Sequence, residues 1–392
     1  MQNFEYYTPT KVVFGRGAEL KTGELIKEQG AKKVLLHYGG GSAERSGLLG
    51  RIRKSLEEAG ISYVELGGVQ PNPRLSLAKK GIELAKEEGV DFILAVGGGS
   101  VIDSAKCIGY GLYNGGDVWD FYIHKREVTG CTPVGAVLTI AAAGSEMSNS
   151  CVISNEDGNL KRGYKSNFCR CRFAVLNPEL TFTLGKYQTA CGCVDMMMHI
   201  FERYFTTAKD TTITDGMCES ILRTILYYAP KAVEEPENYE ARAQIMWAGS
   251  LAHNGLLGCG MTEDWASHQL EHELSAMFDV AHGAGLAAVW GSWARYVMDV
   301  CPERFAHFAE VVAGIPANVQ DPRQTALDGI EAMEQFFKRL GMPTRVHEMG
   351  IDLTDEQIEE LAYRCSFQDT RTIGGFKKLC RADMAEIYRM AR

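Results

Sequence analysis

The stretch "DFILAVGGGSVIDSAKCIGYGL" (91–112) constrains the fold more than any other part of the chain. Residues 91–99 read as a short apolar strand running into a glycine turn, and 101–112 follow with helical spacing. The same order recurs upstream. "KKVLLHY" (32–38) is a strand ending in glycines 39–41, "GLLGRIRKSLEEAG" (47–60) is helical, "ISYVEL" (61–66) is a strand and "LSLAKKGIELAKEEG" (75–89) is helical. Strands that alternate with helices form βαβ units, and such units build a parallel sheet covered on both faces. The expectation is an α/β dinucleotide-binding domain, doubly wound with a mostly parallel sheet.

From "LGKYQTACGCVDMMMHIFERYFT" to the last residue the pattern is helical almost throughout. We therefore expect a dinucleotide-binding domain over 1–184 and an all-α, metal-binding domain over 185–392. A chain of 392 residues exceeds one ordinary core, so two domains are the default. A cleft between them is the expected ligand site. The formal charge of −9 argues against nucleic acid or an anionic membrane as partner. The opening residues lack a signal-peptide pattern, and no apolar run approaches the roughly 18 residues a membrane span needs. The twelve cysteines, including the C-x-C pairs 169/171 and 191/193, read as reduced thiols of a cytoplasmic protein.

Two glycine turns point to a nucleotide. In "YGGGS" (38–42) and "VGGGS" (96–100), a glycine run after a strand and before a helix lets backbone N–H groups approach a phosphate. Neither is the spaced G-x-G-x-x-G fingerprint. The first turn carries no Asp to accept a bond from a ribose hydroxyl, which leaves room for a 2′-phosphate and favours NADP(H) over NAD(H). Glu65, on the next strand, is a rival acceptor for the ribose.

The second signal is histidine spacing. Asp195 and His199 stand four residues apart, as do His268 and His272, so each pair shares a helix face. His282 lies fourteen residues beyond His268, about 21 Å along a continuous helix, too far to share an ion. The chain must fold back, and "MFDVAHGAG" supplies the break. One carboxylate and three imidazoles from three segments suit Fe²⁺ or Zn²⁺, and spacing alone leaves His272 open as a ligand. His37, His124, His253, His307 and His347 lack such company and read as structural. "HQLEH" also fits the H-x-x-E-H metallopeptidase pattern with Glu271 as base, but a peptidase has no use for two phosphate-type turns.

"VGGGSVIDSAK", "VDMMMHIFERYFT", "EDWASHQLEHELSAMFDVAHGAGLA" and "GGFKKL" together resemble the iron-containing (group III) alcohol dehydrogenase family, in its NADP(H)-dependent butanol dehydrogenase and aldehyde reductase branch. The resemblance extends over essentially the whole chain. It implies one divalent metal per subunit, a homodimer or higher homo-oligomer, and reversible interconversion of small alcohols and aldehydes. It places the metal ligands on Asp195, His199, His268 and His282, with His272 near the substrate as the candidate proton relay. It places the coenzyme on Gly39, Gly40 and Ser42, on Gly97, Gly98, Gly99 and Ser100, and on Asn72, Asp103, Thr139 and Lys161. One departure stands out: Ala143 occupies a position where the family usually carries Thr. A dehydroquinate-synthase-like lyase and a non-catalytic metal- or nucleotide-binding protein are the competing readings.

Overall fold

The computed structural model describes all 392 residues. Eight strands are present: β1 (Lys11–Phe14), β2 (Lys33–Gly39), β3 (Ser62–Val69), β4 (Phe92–Gly97), β5 (Val134–Leu138), β6 (Ser150–Asn155), β7 (Leu160–Lys165) and β8 (Phe173–Leu176). Between and around them run α1 (Thr22–Glu28), α2 (Ser42–Arg45), α3 (Leu48–Glu58), α4 (Leu75–Glu87), α5 (Gly99–Asn114) and α6 (Trp119–Tyr122). Six strands form one parallel sheet in the order β1-β8-β5-β4-β2-β3, and β6 and β7 form a separate antiparallel hairpin.

The strands are apolar along their whole length because both faces are covered. All six residues of β4 are buried. One face presents Val34, Leu36, Phe92, Leu94, Val96, Val137, Phe173 and Val175, alternate residues of four strands, to Leu48, Leu49, Ile52 and Leu56 of α3 and Leu25 and Ile26 of α1. The strand period of two and the helical period of 3.6 meet along this seam. Of the elements read from sequence, α5 starts two residues earlier than its apolar spacing implied, at Gly99, directly on the glycine turn.

His37 sits within β2, fully buried. Its Nδ1 lies 2.8 Å from the Leu66 carbonyl and its Nε2 lies 2.8 Å from the Ser104 hydroxyl. The carbonyl only accepts, so Nδ1 carries the hydrogen and Nε2 accepts from Ser104: the ring is neutral. Burial drives its pKa from 6.5 down to about 4. The unfolded chain takes up a proton on this imidazole as pH falls below 6.5, while the folded chain refuses it until about pH 4. Stability from this residue is therefore complete above 6.5 and declines below it, by about 3 kcal/mol over the window. We expect the stability difference between wild type and His37→Gln, whatever its size at neutral pH, to shift by that amount in favour of the variant towards pH 4. Thermal melts across the range check this, and a difference independent of pH contradicts it.

The rest of the chain is helical: α7 (Lys186–Tyr204), α8 (Thr212–Glu234), α9 (Tyr239–His253), α10 (Ala266–Phe278), α11 (His282–Val297), α12 (Pro302–Val311), α13 (Pro322–Arg339), α14 (Asp355–Cys365) and α15 (Arg381–Ala391). α7 is buried on nearly every side from Thr189 to Tyr204 and packs against α8, α9, α10 and α11. No helix is long and apolar enough to cross a membrane.

Packing divides the chain into two units. Tyr7–Leu184 form one, and Gly185–Arg392 together with Met1–Tyr6 form the other. The first six residues, read from sequence as part of the nucleotide-binding half, pack with the helical unit. The Met1 amine donates to the Lys209 carbonyl at 2.6 Å and Gln2 N–H to the Gly260 carbonyl at 3.2 Å.

Candidate active site

Asp195 and His199 lie one turn apart on α7, with His199 Nδ1 3.3 Å from Asp195 Oδ1. His268, in the first turn of α10, brings Nε2 to 3.9 Å from the same oxygen. α10 ends at Phe278, and Asp279, with φ 52° and ψ 37°, turns the chain in the left-handed region so that α11 starts three residues later at His282. His282 Nε2 then stands 3.8 Å from Asp195 Oδ1. The fold-back expected between His268 and His282 is this corner. At its far side, the first turn of α11 presses on α7 so closely that a Cβ on Gly283 would fall 2.1 Å from the Cys191 carbonyl oxygen.

The donor atoms of Asp195, His268 and His282 fall within 4.8 Å of one another. His199 joins this group through Asp195, its ring centroid 4.5 Å from that of His268. A tetrahedron of bonds about 2.1 Å long has edges of about 3.4 Å, close to these separations. The electrostatics fit a cation as well. Asp195, His199 and His268 are 5 %, 3 % and 4 % exposed, and Asp195 Oδ1, His199 Nδ1 and His268 Nε2 have no hydrogen-bond partner. Three buried polar atoms left unpaired together are costly unless something positive sits among them.

Two carboxylates aim the imidazoles. Glu202, on α7, accepts from His268 Nδ1 at 2.7 Å and from the His268 backbone N–H at 2.9 Å. Glu271, wholly buried on α10, accepts from His282 Nδ1 and from the Ser275 hydroxyl. Each bond fixes the tautomer that turns an Nε2 lone pair inward. Burial works against a charge on His268, but the Asp195 and Glu202 carboxylates outweigh it and push its pKa up to about 9. His199 goes the other way: burial, then the neighbouring imidazoles and Arg203, hold it well below its ordinary value.

The sequence reading passed over Glu202 and treated Glu271 only as a peptidase base. Glu271 is committed to His282 and is not free for that role. Glu202 could have been found, since it lies seven residues after Asp195 on the same helical face. His253, read as a structural histidine without such company, lies with its ring centroid 4.0 Å from that of His199, beside Trp265. It comes from α9, and no spacing relates α9 to α7. His272 stands on the outer side, half-buried, grouped with Glu271 and His282.

In the α/β unit, Gly97, Gly98, Gly99 and Ser100 occupy the junction of β4 and α5. The Thr139 N–H donates to the Gly97 carbonyl at 3.0 Å, and Ala143 stands against Gly99, 3.3 Å from where a Cβ would lie. The N-terminus of α5 has no side-chain cap, so its first N–H groups are open to an anion. Gly39, Gly40 and Ser42 lie at the end of the neighbouring strand, β2, and the start of α2. Asn72 is buried in the left-handed region after β3, and Lys161 is buried on β7 opposite Ser154, whose N–H donates to the Pro73 carbonyl at 2.9 Å. The Asp103 carboxylate accepts from the Ser145 hydroxyl and from Val152 N–H, tying β6 to α5.

Residues 9–178 match the family described as iron-containing alcohol dehydrogenase, and residues 189–392 match its C-terminal domain. A probable NADH-dependent butanol dehydrogenase of Bacillus subtilis is 42% identical over 389 residues, covering 99% of both chains. An NADPH-dependent aldehyde reductase of Escherichia coli is 38% identical over 355 residues, 90% of each. Among solved structures, an NADH-dependent butanol dehydrogenase of Thermotoga maritima superposes with a TM-score of 0.95 at 38% identity, over 100% of this chain and 99% of that one.

Proposed function

Because the chain belongs to the iron-containing alcohol dehydrogenase family, we propose that Asp195, His199, His268 and His282 hold one divalent ion and that the β2 and β4 turns hold NADP(H). The protein is an NAD(P)-dependent alcohol dehydrogenase and aldehyde reductase. The lyase and non-catalytic readings give way to this one.

The observation that carries the metal assignment is the trio of buried, unpartnered donor atoms around Asp195 Oδ1. A bound ion supplies Lewis acidity to an alcohol or aldehyde oxygen, and the nicotinamide supplies or accepts hydride. One carboxylate oxygen and three imidazole nitrogens suit Fe²⁺ or Zn²⁺. Glu202 and Glu271 hold His268 and His282 in the ligating tautomer. His272, half-buried beside His282, passes the proton between the substrate oxygen and solvent. The coenzyme phosphates meet the uncapped start of α5. The 2′-phosphate of NADP(H) meets Gly39, Gly40 and Ser42, and Asn72, Lys161 and Thr139 line the same coenzyme. The substrates are short-chain alcohols and aldehydes, as the relatives' names suggest for those proteins. The protein works as a cytoplasmic homodimer.

Protein purified without oxygen should carry about one Fe²⁺ or Zn²⁺ per chain and oxidise NADPH with short aldehydes faster than it oxidises NADH. A preparation that binds no divalent ion at its donor set sinks the metal assignment. His272→Ala should lower kcat by about 10²-fold with bound metal unchanged. Loss of metal in that variant would make His272 a ligand instead.

A further inference from the structure

Two acidic residues flank the β2 turn, and both are held by one arginine. Glu44 lies on α2, two residues after Ser42, and Glu65 lies on β3. Arg53, on α3, donates Nε to Glu65 at 2.8 Å and Nη2 to its other oxygen at 2.9 Å. It also donates Nη1 and Nη2 to the two oxygens of Glu44 at 2.9 and 2.8 Å. The guanidinium thus makes two forked contacts at once, and Tyr38 adds a bond to Glu65. Both carboxylates are held below their ordinary pKa values, with the bond from Arg53 the first cause in each case.

Arg45 is placed differently. It lies one residue past Glu44 on the same short helix, about 100° around it. Its Nη1 stands over the turn, 3.1 Å from where a Cβ on Gly41 would be. Neither Glu44 nor Glu65 pairs with it. The turn therefore has two carboxylates turned aside into a clamp and one cation facing the glycines. Glu44 is exposed, whereas Arg53 and Glu65 are each 26% exposed, so the forked contacts form a network that holds both carboxylates in one place. A carboxylate beside an adenosine ribose favours the free 2′-hydroxyl and repels a 2′-phosphate.

We propose that Arg53 sets the coenzyme preference by holding Glu44 and Glu65 aside and offsetting one of their two charges, leaving Arg45 to attract a coenzyme that carries a 2′-phosphate. This rests on the reading that the coenzyme's ribose meets the β2 turn. Arg53 is a positioning residue, since it acts through the two carboxylates and Arg45. Relatives named for NADH and for NADPH both occur at similar identity, so overall similarity does not fix the preference.

The test is the dissociation constant of the whole protein for NADPH and for NADH, read from coenzyme fluorescence on binding. Arg53→Met frees both carboxylates and is expected to weaken NADPH about tenfold and NADH less than twofold. Adding Glu44→Gln and Glu65→Gln to that variant removes both charges and should restore the wild-type ratio or carry it further towards NADPH, which a merely structural role for Arg53 would not do. Arg45→Met should weaken NADPH alone. The shift produced by Arg53→Met should shrink as salt is raised. Equal weakening of both coenzymes by Arg53→Met, or failure of the two Gln substitutions to restore the ratio, overturns the inference. The wild-type preference decides separately whether the coenzyme reading itself holds, and the change in ratio decides the role of Arg53 whichever coenzyme the wild type prefers.

Discussion

Replacing Asp195 with alanine should abolish metal retention and lower turnover by about 10³-fold or more, while the protein stays folded. In the proposed site Asp195 would supply the one anionic ligand, and its Oδ1 is the atom that His199, His268 and His282 all approach, at 3.3, 3.9 and 3.8 Å. Losing the ion removes several kcal/mol of charge stabilisation at the reacting oxygen, and about 4 kcal/mol corresponds to that factor in rate. The fold does not need this carboxylate. Oδ1 is buried without a hydrogen-bond partner, so its removal relieves a desolvation cost, which offsets the loss of its attraction for His268 in the metal-free protein. The variant should therefore melt close to wild type when both are stripped of metal. Wild type alone should gain thermal stability when Zn²⁺ or Fe²⁺ is added, because only it binds the ion in the folded state. A variant that keeps a full metal complement and the metal-induced shift contradicts the site.

Lys106→Met should produce the largest loss of stability of any single change in the α/β unit. Lys106 is wholly buried on α5, and its ammonium donates to the carbonyls of Ser145, Ser148 and Ser150 at 2.7, 3.0 and 2.8 Å. Three acceptors use all three of its hydrogens, so it is held in the charged form. Methionine fills nearly the same space and leaves the Ser145 and Ser148 carbonyls without this donor and the Ser150 carbonyl with only a long bond from the Ser148 hydroxyl at 3.4 Å, at about 1–3 kcal/mol for each carbonyl left unpaired before relaxation. A net cost of about 3–5 kcal/mol follows, or a fall of about 10 °C or more in the unit's melting temperature. Coenzyme binding should weaken too, since the same segment passes Gly99, with Ser145 Cβ 4.0 Å from where a Cβ there would lie. A variant melting within a degree or two of wild type would show that the carbonyls find other donors.

The alternation of strand, glycine turn and helix was legible because period-two and period-3.6 patterns are local properties of the chain. The break between His268 and His282 was legible for a different reason: rise per residue limits how far a helix can reach. Long-range pairings carry no such signature. β1 and β8 have four residues each, and nothing near Lys11 announces that it will align with Phe173. His253 reaches His199 only because α9 packs on α7, a relation between surfaces and not between positions in sequence. Glu202 is intermediate. Its spacing was visible, but carboxylates at helical spacing are usually solvated, and only burial shows that this one serves His268.

The corner formed by Asp279, Val280 and Ala281 also acts as a gauge of chain length. α10 stops at Phe278 and α11 begins with His282 itself, so no slack separates the last helical turn from the ligand. One residue added here either advances the imidazole by a helical step of about 1.5 Å or swings it by about 100°. Either change carries Nε2 away from Asp195. Deletions and insertions in this corner should thus disturb the proposed site as much as substitution of one of its four donor residues.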